Sequence, residues 1–441
     1  MSTADVLVLG AGIAGLAAAE RLAAAGRRVV VVESRDRIGG RIHTVHDPES
    51  HHPIELGAEF VHGRPPGLLA LIRSAGLTLD RLPERHERGP GHPGRPLPDV
   101  RASLDRLLHP AAETAPDQPL AELLRARGGL LEPSARATVV QYLESFHAAD
   151  LACLGTRALA ENEAAEDTDG DEPHRVREGY GALVHWLARQ LDPDRVEIRL
   201  RTIVTSVRWR EGEVRAAVRS PGGDPLELVA RRAVVTLPLT TLQSRPGAPA
   251  MMAIDPMPED WGSALAALHM GAAHRIVLRF DKRWWARDGE DGPGFIHGTT
   301  EPFPVWWTAL PSHEPVLTGW TGGPRAVALA GRGEQAMLTA ALASLASVFG
   351  CSSTELRSSL RVAWSHDWTA DRFAGGAYSY GGVGAIEARA ALARPQADTL
   401  VLAGEAIAEQ GRNGTVHGAL ESGQRAAARL LETAGPPTSL N

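Results

Sequence analysis

The chain has one lysine, Lys282, among 46 basic residues, and two cysteines. Cys153 and Cys351 cannot build a disulfide framework and lack metal-ligand spacing, so no metal site is expected. No apolar run approaches the ~18 residues of a membrane-spanning helix. The residues up to Asp5 are polar, and the short apolar run before Gly10 is too brief for a secretory signal. The final residues, Gly435 to Asn441, carry no tail anchor. Net charge is −7 with no basic block, which argues against a nucleic-acid partner. The expectation is a cytoplasmic protein off the membrane, monomer or homodimer. The near-absence of lysine reads as a genome-wide codon preference, so an arginine in a lysine's place can be drift or design.

At 441 residues the chain exceeds one ordinary core, and about two domains built from interleaved segments are expected. Asp5–Leu9 is an apolar strand, Ile13–Ala25 an alanine-rich helix ended by Gly26, and Val29–Val32 a strand buried on both faces. Together they form a βαβ unit. Pro83–Pro98 reads as a surface loop and Leu104–Leu159 as mostly helical. Glu161–Glu172 reads as an acidic, solvated loop. Gly181–Leu191 is a short amphipathic helix. Val196–Leu237 alternates like strands with turns at Glu211-Gly212 and Gly222-Gly223. Residues 335–348 form a helix, Leu400–Ala403 a buried strand and Thr415–Leu431 a last helix.

Gly10-Ala11-Gly12-Ile13-Ala14-Gly15 is a G-x-G-x-x-G placed between strand and helix, the context a dinucleotide site requires. Gly10 permits the tight turn. Gly12 lets backbone approach a pyrophosphate at the helix N-terminus, and Gly15 allows close helix–strand packing. Glu33, followed by Ser34, ends the second strand where an acid accepts the ribose hydroxyls and disfavours a 2′-phosphate. Arg35-Asp36-Arg37-Ile38-Gly39-Gly40-Arg41 offers a second backbone approach and a charge for phosphate. Ile54-Glu55-Leu56-Gly57-Ala58-Glu59-Phe60 and Leu402-Ala403-Gly404-Glu405 add further close-approach glycines.

With Trp368 to Tyr380 (WTADRFAGGAYSY) and Gly414-Thr415-Val416-His417-Gly418-Ala419, these motifs resemble the flavin-containing amine oxidase family, which includes monoamine oxidases, polyamine oxidases and lysine-specific histone demethylases. The likeness is strong over residues 5–63 and 364–431, recognisable over 176–243 and 265–285, and weak over 83–170. It implies an α/β chain: a Rossmann-type FAD-binding domain from 1–75, 176–243 and 395–441, interleaved with an α+β substrate-binding domain from 76–175 and 244–394. It implies FAD with Glu33 on the ribose and Arg41 near the pyrophosphate. Gly57, Ala58, Glu405, Thr415 and Val416 would lie along the ribityl chain and ring system, and Val204 near the adenine. Covalent relatives carry a cysteine before the cage tyrosine. Ala377 stands there, so FAD is expected to be non-covalent.

On the substrate side, an aromatic slot suits amine oxidation, because rings grip the alkyl part and tolerate a cationic approach. Eight tryptophans fall in the presumed substrate regions: Trp261, Trp284, Trp285, Trp306, Trp307, Trp320, Trp364 and Trp368. Most are expected in the core, with Trp320 and Trp368 the substrate candidates. Tyr378 matches one wall of the family's aromatic cage, and Thr415 stands where monoamine oxidases have the other tyrosine. Glu59 and His62 run toward the pocket. Glu59 could attract a polyamine or simply pair with an arginine. The family usually has a lysine beside flavin N5, assisting the reaction with oxygen, where this chain has Arg275. Arginine keeps the charge but is larger and planar. The expected reaction moves a hydride from the carbon beside an amine nitrogen to flavin N5, with O2 or another electron acceptor. A flavin desaturase and a flavoprotein with structural FAD are the alternatives.

Overall fold

The computed structural model describes residues 4–432, apart from 51, 84, 93–96, 109–115, 171, 221, 224, 245–251 and 287–288. Two large sheets dominate it. The first has eight strands. Its parallel part runs, in spatial order, Leu400–Leu402, Pro225–Val235, Ala4–Leu9, Val29–Val32 and Val196–Arg199. The long strand Pro225–Val235 continues into an antiparallel meander with Glu213–Arg219 and Ile203–Arg210. Val29–Val32 is four valines, which suits a strand covered on both faces.

One face is covered by the helix Ile13–Ala24, which packs against Val416–Glu432. That contact depends on small residues. A Cβ on Gly423 would lie 2.1 Å from the Ala14 carbonyl oxygen. Tyr180–Arg189 closes the same apolar cluster through Leu183, Val184 and Leu187. Chain segments far apart in sequence thus share one core. The strand Ala253–Asp255, beyond residue 243, pairs in parallel with Ser206–Arg208 at the edge of this sheet.

The second sheet has six strands, ordered Leu360–Ser365, Ala273–Phe280, Val316–Gly322, Val305–Thr308, Phe295–His297 and His86–Arg88. Its back is covered by the helix Glu334–Phe349, whose Met337, Ala341, Leu342 and Leu345 join Ile276, Leu278, Phe280 and Trp306 in one cluster. Among the described residues no single helix is long and apolar enough to cross a membrane.

The region 100–169 supplies a layer of helices: Val100–Leu108, Leu120–Arg127, Pro133–Phe146 and Thr156–Asp169. The last corrects a sequence expectation. Glu161–Asp169, read as the start of a solvated loop, is helical. The alanines, glutamates and leucine of Thr156–Asp169 favour a helix despite the charge. Ala158 and Leu159 are buried. Asn162 anchors it, donating to Gly411 O at 2.7 Å and Asn413 Oδ1 at 3.1 Å. Asp171, also in the expected loop, lies outside the described residues, as do residue 84 and residues 93–96 of the expected loop 83–98. The strand His86–Arg88 interrupts that loop.

Candidate active site

The two sheets enclose one cavity of about 950 Å³, at the upper end of ligand-pocket sizes. Its dinucleotide end is built by the first βαβ unit. Gly10 holds φ +109°, and a Cβ there would meet Thr236 Oγ1 at 2.7 Å. A Cβ on Gly15 would lie 2.0 Å from the Gly10 carbonyl oxygen, so Gly15 serves helix–strand packing and is not on the cavity wall. Gly12 is different. A Cβ there meets nothing within 4 Å, and as N-cap of Ile13–Ala24 it provides no side-chain cap. The helix N-terminus therefore faces open space with donors uncommitted to side chains, as an anion site requires.

Glu33 is buried beside this turn. Its Oε2 accepts from Ala11 N at 2.9 Å, and its Oε1 accepts from Arg35 N at 2.9 Å and from the Ser34 hydroxyl at 3.1 Å. Three donors hold the carboxylate in place on the wall. Ala14, Ser34, Gly40, Gly57, Ala58, Val204, Gly404, Thr415 and Val416 all line the same cavity. Gly57 also permits a backbone crossing, since a Cβ would lie 1.8 Å from Arg41 O. The residues present thus fit a dinucleotide: an open helix N-terminus, a fixed acid one strand away, and a glycine-lined trough leading inward.

Three charged residues expected to face the cofactor already have partners. Arg41 donates to Glu405 Oε1 at 2.8 Å and to Ala377 O at 2.9 Å. Glu405 also accepts from Ser379 Oγ at 2.6 Å and Gly414 N at 3.0 Å. Burial opposes its ionisation, but Arg41 and Ser379 hold its carboxyl below the usual range. Arg35 meets Asp371 through both terminal nitrogens, at 2.9 and 2.7 Å, and lies over the Trp368 and Phe373 rings. Thr415 caps the helix Val416–Glu432: its Oγ1 accepts from Gly418 N at 2.9 Å and donates to Arg412 O at 2.7 Å. That hydroxyl is committed to backbone, so Thr415 presents little more than a small wall.

Beyond Ala58 and Val416 the wall turns aromatic. The Tyr378 and Trp320 rings are near-parallel, 12° apart with centroids at 6.4 Å. The helix Pro133–Phe146 fixes both, its end accepting from Tyr378 OH through Phe146 O at 2.5 Å and from Trp320 Nε1 through Ser145 O at 3.0 Å. Burial pushes the Tyr378 phenol above its usual pKa. Phe146, Trp307 and His62 line the same space. Burial pushes His62 down to about 4, so its imidazole is neutral at neutral pH. Trp368 also lines the cavity, its Nε1 donating to Leu56 O at 2.7 Å. Trp261 and Trp306 are instead fully buried in the core, and Trp284 and Trp285 pack on Phe280.

Arg275 faces inward, on the cavity wall between Trp307 and Trp320, its guanidinium 5.3 and 5.6 Å from their centroids. Its Nη1 donates to Glu55 O at 2.9 Å and lies 3.1 Å from Glu59 Oε2. Glu59 Oε1 accepts from Arg175 Nε at 2.8 Å and Nη2 at 2.5 Å, and from Trp307 Nε1 at 3.3 Å. Both oxygens of Glu59 are therefore engaged. Of the two roles the sequence left open, the arginine pairing is the one this geometry fills. Burial opposes ionisation of Glu59, but Arg175 and Arg275 outweigh it and hold the carboxyl below its usual range.

Sequence reasoning missed Trp307 as a wall residue, and it missed Tyr142, Phe146, His147, Glu163 and Glu166, which line the cavity from the helical layer. An alanine- and glutamate-rich composition over 156–169 was the available signal.

A dinucleotide cradle opening into an aromatic slot fits an oxidoreductase that holds its cofactor beside a substrate pocket. The comparisons with known proteins narrow this. Residues 13–431 match the family model for flavin containing amine oxidoreductases, and the chain belongs to that family, whose cofactor is FAD. It is 30% identical to probable polyamine oxidase 4 of Arabidopsis thaliana over 313 residues, 64% of this chain and 59% of that one. It is 26% identical to polyamine oxidase 3 of Oryza sativa subsp. japonica, over 96% of this chain and 88% of the relative. It is 30% identical to lysine-specific histone demethylase 1B of Mus musculus over 66% of this chain and 36% of that one. The chain thus aligns with about three-fifths of the first relative's length. Cyclohexylamine oxidase from Brevibacterium oxydans shares the fold at TM-score 0.79, and wild-type putrescine oxidase bound to putrescine at 0.78. Each is 22% identical, over 98% of this chain and 99% of the other.

Proposed function

We propose that the protein oxidises an amine, the hydride leaving the carbon beside the nitrogen and O2 or another acceptor taking up the electrons. The observation that carries this reading is the rigid slot of Tyr378 and Trp320, continuous with the dinucleotide cradle. FAD, when bound, supplies the hydride acceptor. Glu33 and the Gly12 turn would hold its ribose and pyrophosphate, with Ala58, Gly404 and Val416 along the inner portion. The chain's own work is positioning and desolvation. Tyr378 and Trp320 form an aromatic wall against which the alkyl part packs, and ring faces tolerate positive charge. Neutral His62 adds no repulsion to an incoming ammonium. Arg275 supplies a fixed positive charge on the inner wall, and its bulk and its tie to Glu59 support slow use of oxygen, with a different acceptor favoured. The free thiols Cys153 and Cys351 support a reducing, cytoplasmic setting.

The test is anaerobic mixing of the yellow holoprotein with a panel of amines, with trapping of the carbonyl product. Bleaching with stoichiometric aldehyde or ketone is expected. Bleaching only by nitrogen-free carbon skeletons would favour a desaturase, and no bleaching by any compound would favour a structural flavin.

A further inference from the structure

The buried cluster on the inner wall carries more positive charge than its acids balance. Arg175 is saturated. Its Nε and Nη2 meet Glu59 Oε1, and its Nη1 donates to Ala309 O and Leu310 O. Arg275 is not. Its side chain is 6% exposed, and Nη1 alone is engaged, by Glu55 O and Glu59 Oε2. Its Nε is buried without a hydrogen bond, and its Nη2 makes none to any described residue. These two nitrogens form one edge of the planar guanidinium, the same edge by which Arg175 holds Glu59.

Glu59 is the one carboxylate held ionised between the two guanidinium groups. Glu55 does not make up the difference. Its Oε1 accepts from Tyr180 N and its Oε2 from the Thr44 hydroxyl, each at 2.7 Å. Burial pushes this carboxyl up to about 7, so at neutral pH it carries only part of a charge. Burial pushes His52 and His62 down to about 4, so both are neutral there. Glu163 and Glu166, on the same cavity, stand in the helical layer around Tyr142. A buried cation without a full counter-ion costs free energy until an anion pairs with it. Arg275 lines the cavity, so the cavity is the side from which that anion can arrive.

We propose that the Nε–Nη2 edge of Arg275 is an anion site that receives a carboxylate group from the cavity. Two parallel donors match the two oxygens of a carboxylate, which a lysine ammonium cannot do. The Trp307 and Trp320 rings, with centroids 5.3 and 5.6 Å from the guanidinium, shield it from water and so strengthen a charged hydrogen bond. The Trp320 ring also stands 6.4 Å from that of Tyr378, so a carboxylate on Arg275 lies beside the aromatic slot. The carboxylate can come on the carbon that bears the amine, as in an amino acid. It can also come on a separate acid that fills the slot and excludes the amine. The site goes beyond the amine reading and stands on the geometry of Arg275 alone.

The experiment titrates the oxidised holoenzyme with benzoate and with benzamide, its uncharged counterpart, following the flavin spectrum. Benzoate should bind about ten- to hundred-fold more tightly, the worth of one charged hydrogen bond. Arg275→Gln should abolish that preference, and Arg275→Lys should recover part of it. Anaerobic flavin reduction then separates the two sources. An α-amino acid that reduces the flavin faster than the amine lacking its carboxylate makes the substrate the source. Benzoate that competes with the amine, while amino acids reduce no faster, makes the source a separate acid. Equal affinity for benzoate and benzamide in the wild type, or an equal loss of both in Arg275→Gln, overturns the anion site and leaves the amine reading untouched. If no amine reduces the flavin but the preference for benzoate holds, the amine reading falls and the anion site stands. The wild-type comparison decides the matter even if Arg275→Gln does not fold.

Discussion

Replacing Glu59 by glutamine should destabilise the protein substantially while leaving its shape intact. In the native structure this buried carboxylate takes Arg175 on one oxygen, Arg275 on the other, and Trp307 Nε1 alongside Arg175. Glutamine is isosteric but uncharged, so two buried guanidinium groups would lose their common counter-ion. Arg175 keeps only Ala309 O and Leu310 O, and Arg275 keeps Glu55 O. Breaking a buried pair from one side costs about 3–5 kcal/mol. An unfolding entropy of about 2.1 cal/mol/K per residue gives roughly 0.9 kcal/mol/K for a chain of this length, so Tm should fall by about 3–5 °C. Differential scanning calorimetry of the holoprotein reads this directly. Adding Arg175→Met to Glu59→Gln restores the net charge of the cluster, so the double variant should lose less than the two single losses combined. The pH dependence has a definite sign. Because the folded carboxyl titrates below its ordinary 4.5, the stability it confers is fully present above that pH. It is lost as pH falls further toward the folded value. The gap in Tm between wild type and Glu59→Gln should therefore be constant at neutral pH and close below about 4.5. An unchanged Tm at neutral pH, or a gap that widens in acid, would refute the buried-cluster argument.

Three further outcomes follow from the cofactor end. Glu33→Ala should weaken FAD binding by about 1.5–3 kcal/mol, measured by flavin titration of the apoprotein, and unchanged affinity would remove Glu33 from the site. Acid precipitation should release all the flavin into the supernatant, since Ala377 stands where covalent relatives have cysteine and neither Cys153 nor Cys351 lines the cavity; yellow colour in the pellet would contradict this. Arg275→Lys should speed reoxidation of the anaerobically reduced holoenzyme in stopped-flow mixing with air, because a compact ammonium can order a single water where the planar fork cannot. Equal, fast rates in both would make the arginine a neutral substitute in a chain that replaces lysine almost everywhere.

The cofactor end was legible because its chemistry is local. A turn between strand and helix with glycines at fixed offsets satisfies one physical demand within six residues, and Glu33 follows at the end of the next strand. Tyr378 was legible through the motif around it and Trp320 only as one of several candidate tryptophans, and their near-parallel arrangement was not, because it depends on the end of a helix more than a hundred residues away. Glu59 could be read only as either a substrate ligand or an ion-pair partner. The arginine that decides it is 116 positions distant and meets it through the pairing of Phe60–His62 with Pro173–Val176. The helix Thr156–Asp169 was misread because its charge was weighed above its helix-forming alanines and glutamates. That error hid Glu163 and Glu166, which line the cavity. Among the tryptophans, wall and core could not be separated in advance. Trp306 and Trp307 are adjacent on one strand, so their side chains point to opposite faces of the sheet.

The most direct measurement of the central claim is anaerobic flavin reduction by an amine in wild type and in Tyr378→Ala, with flavin content measured on the same samples. Tyr378 lines the slot, and its phenol donates to Phe146 O. If the slot holds the amine, Tyr378→Ala should keep its flavin and lose reduction rate by about ten-fold or more, as expected when a positioning wall is removed. If reduction rate and flavin content fall together, Tyr378 is a packing residue and the aromatic slot is not where the amine binds.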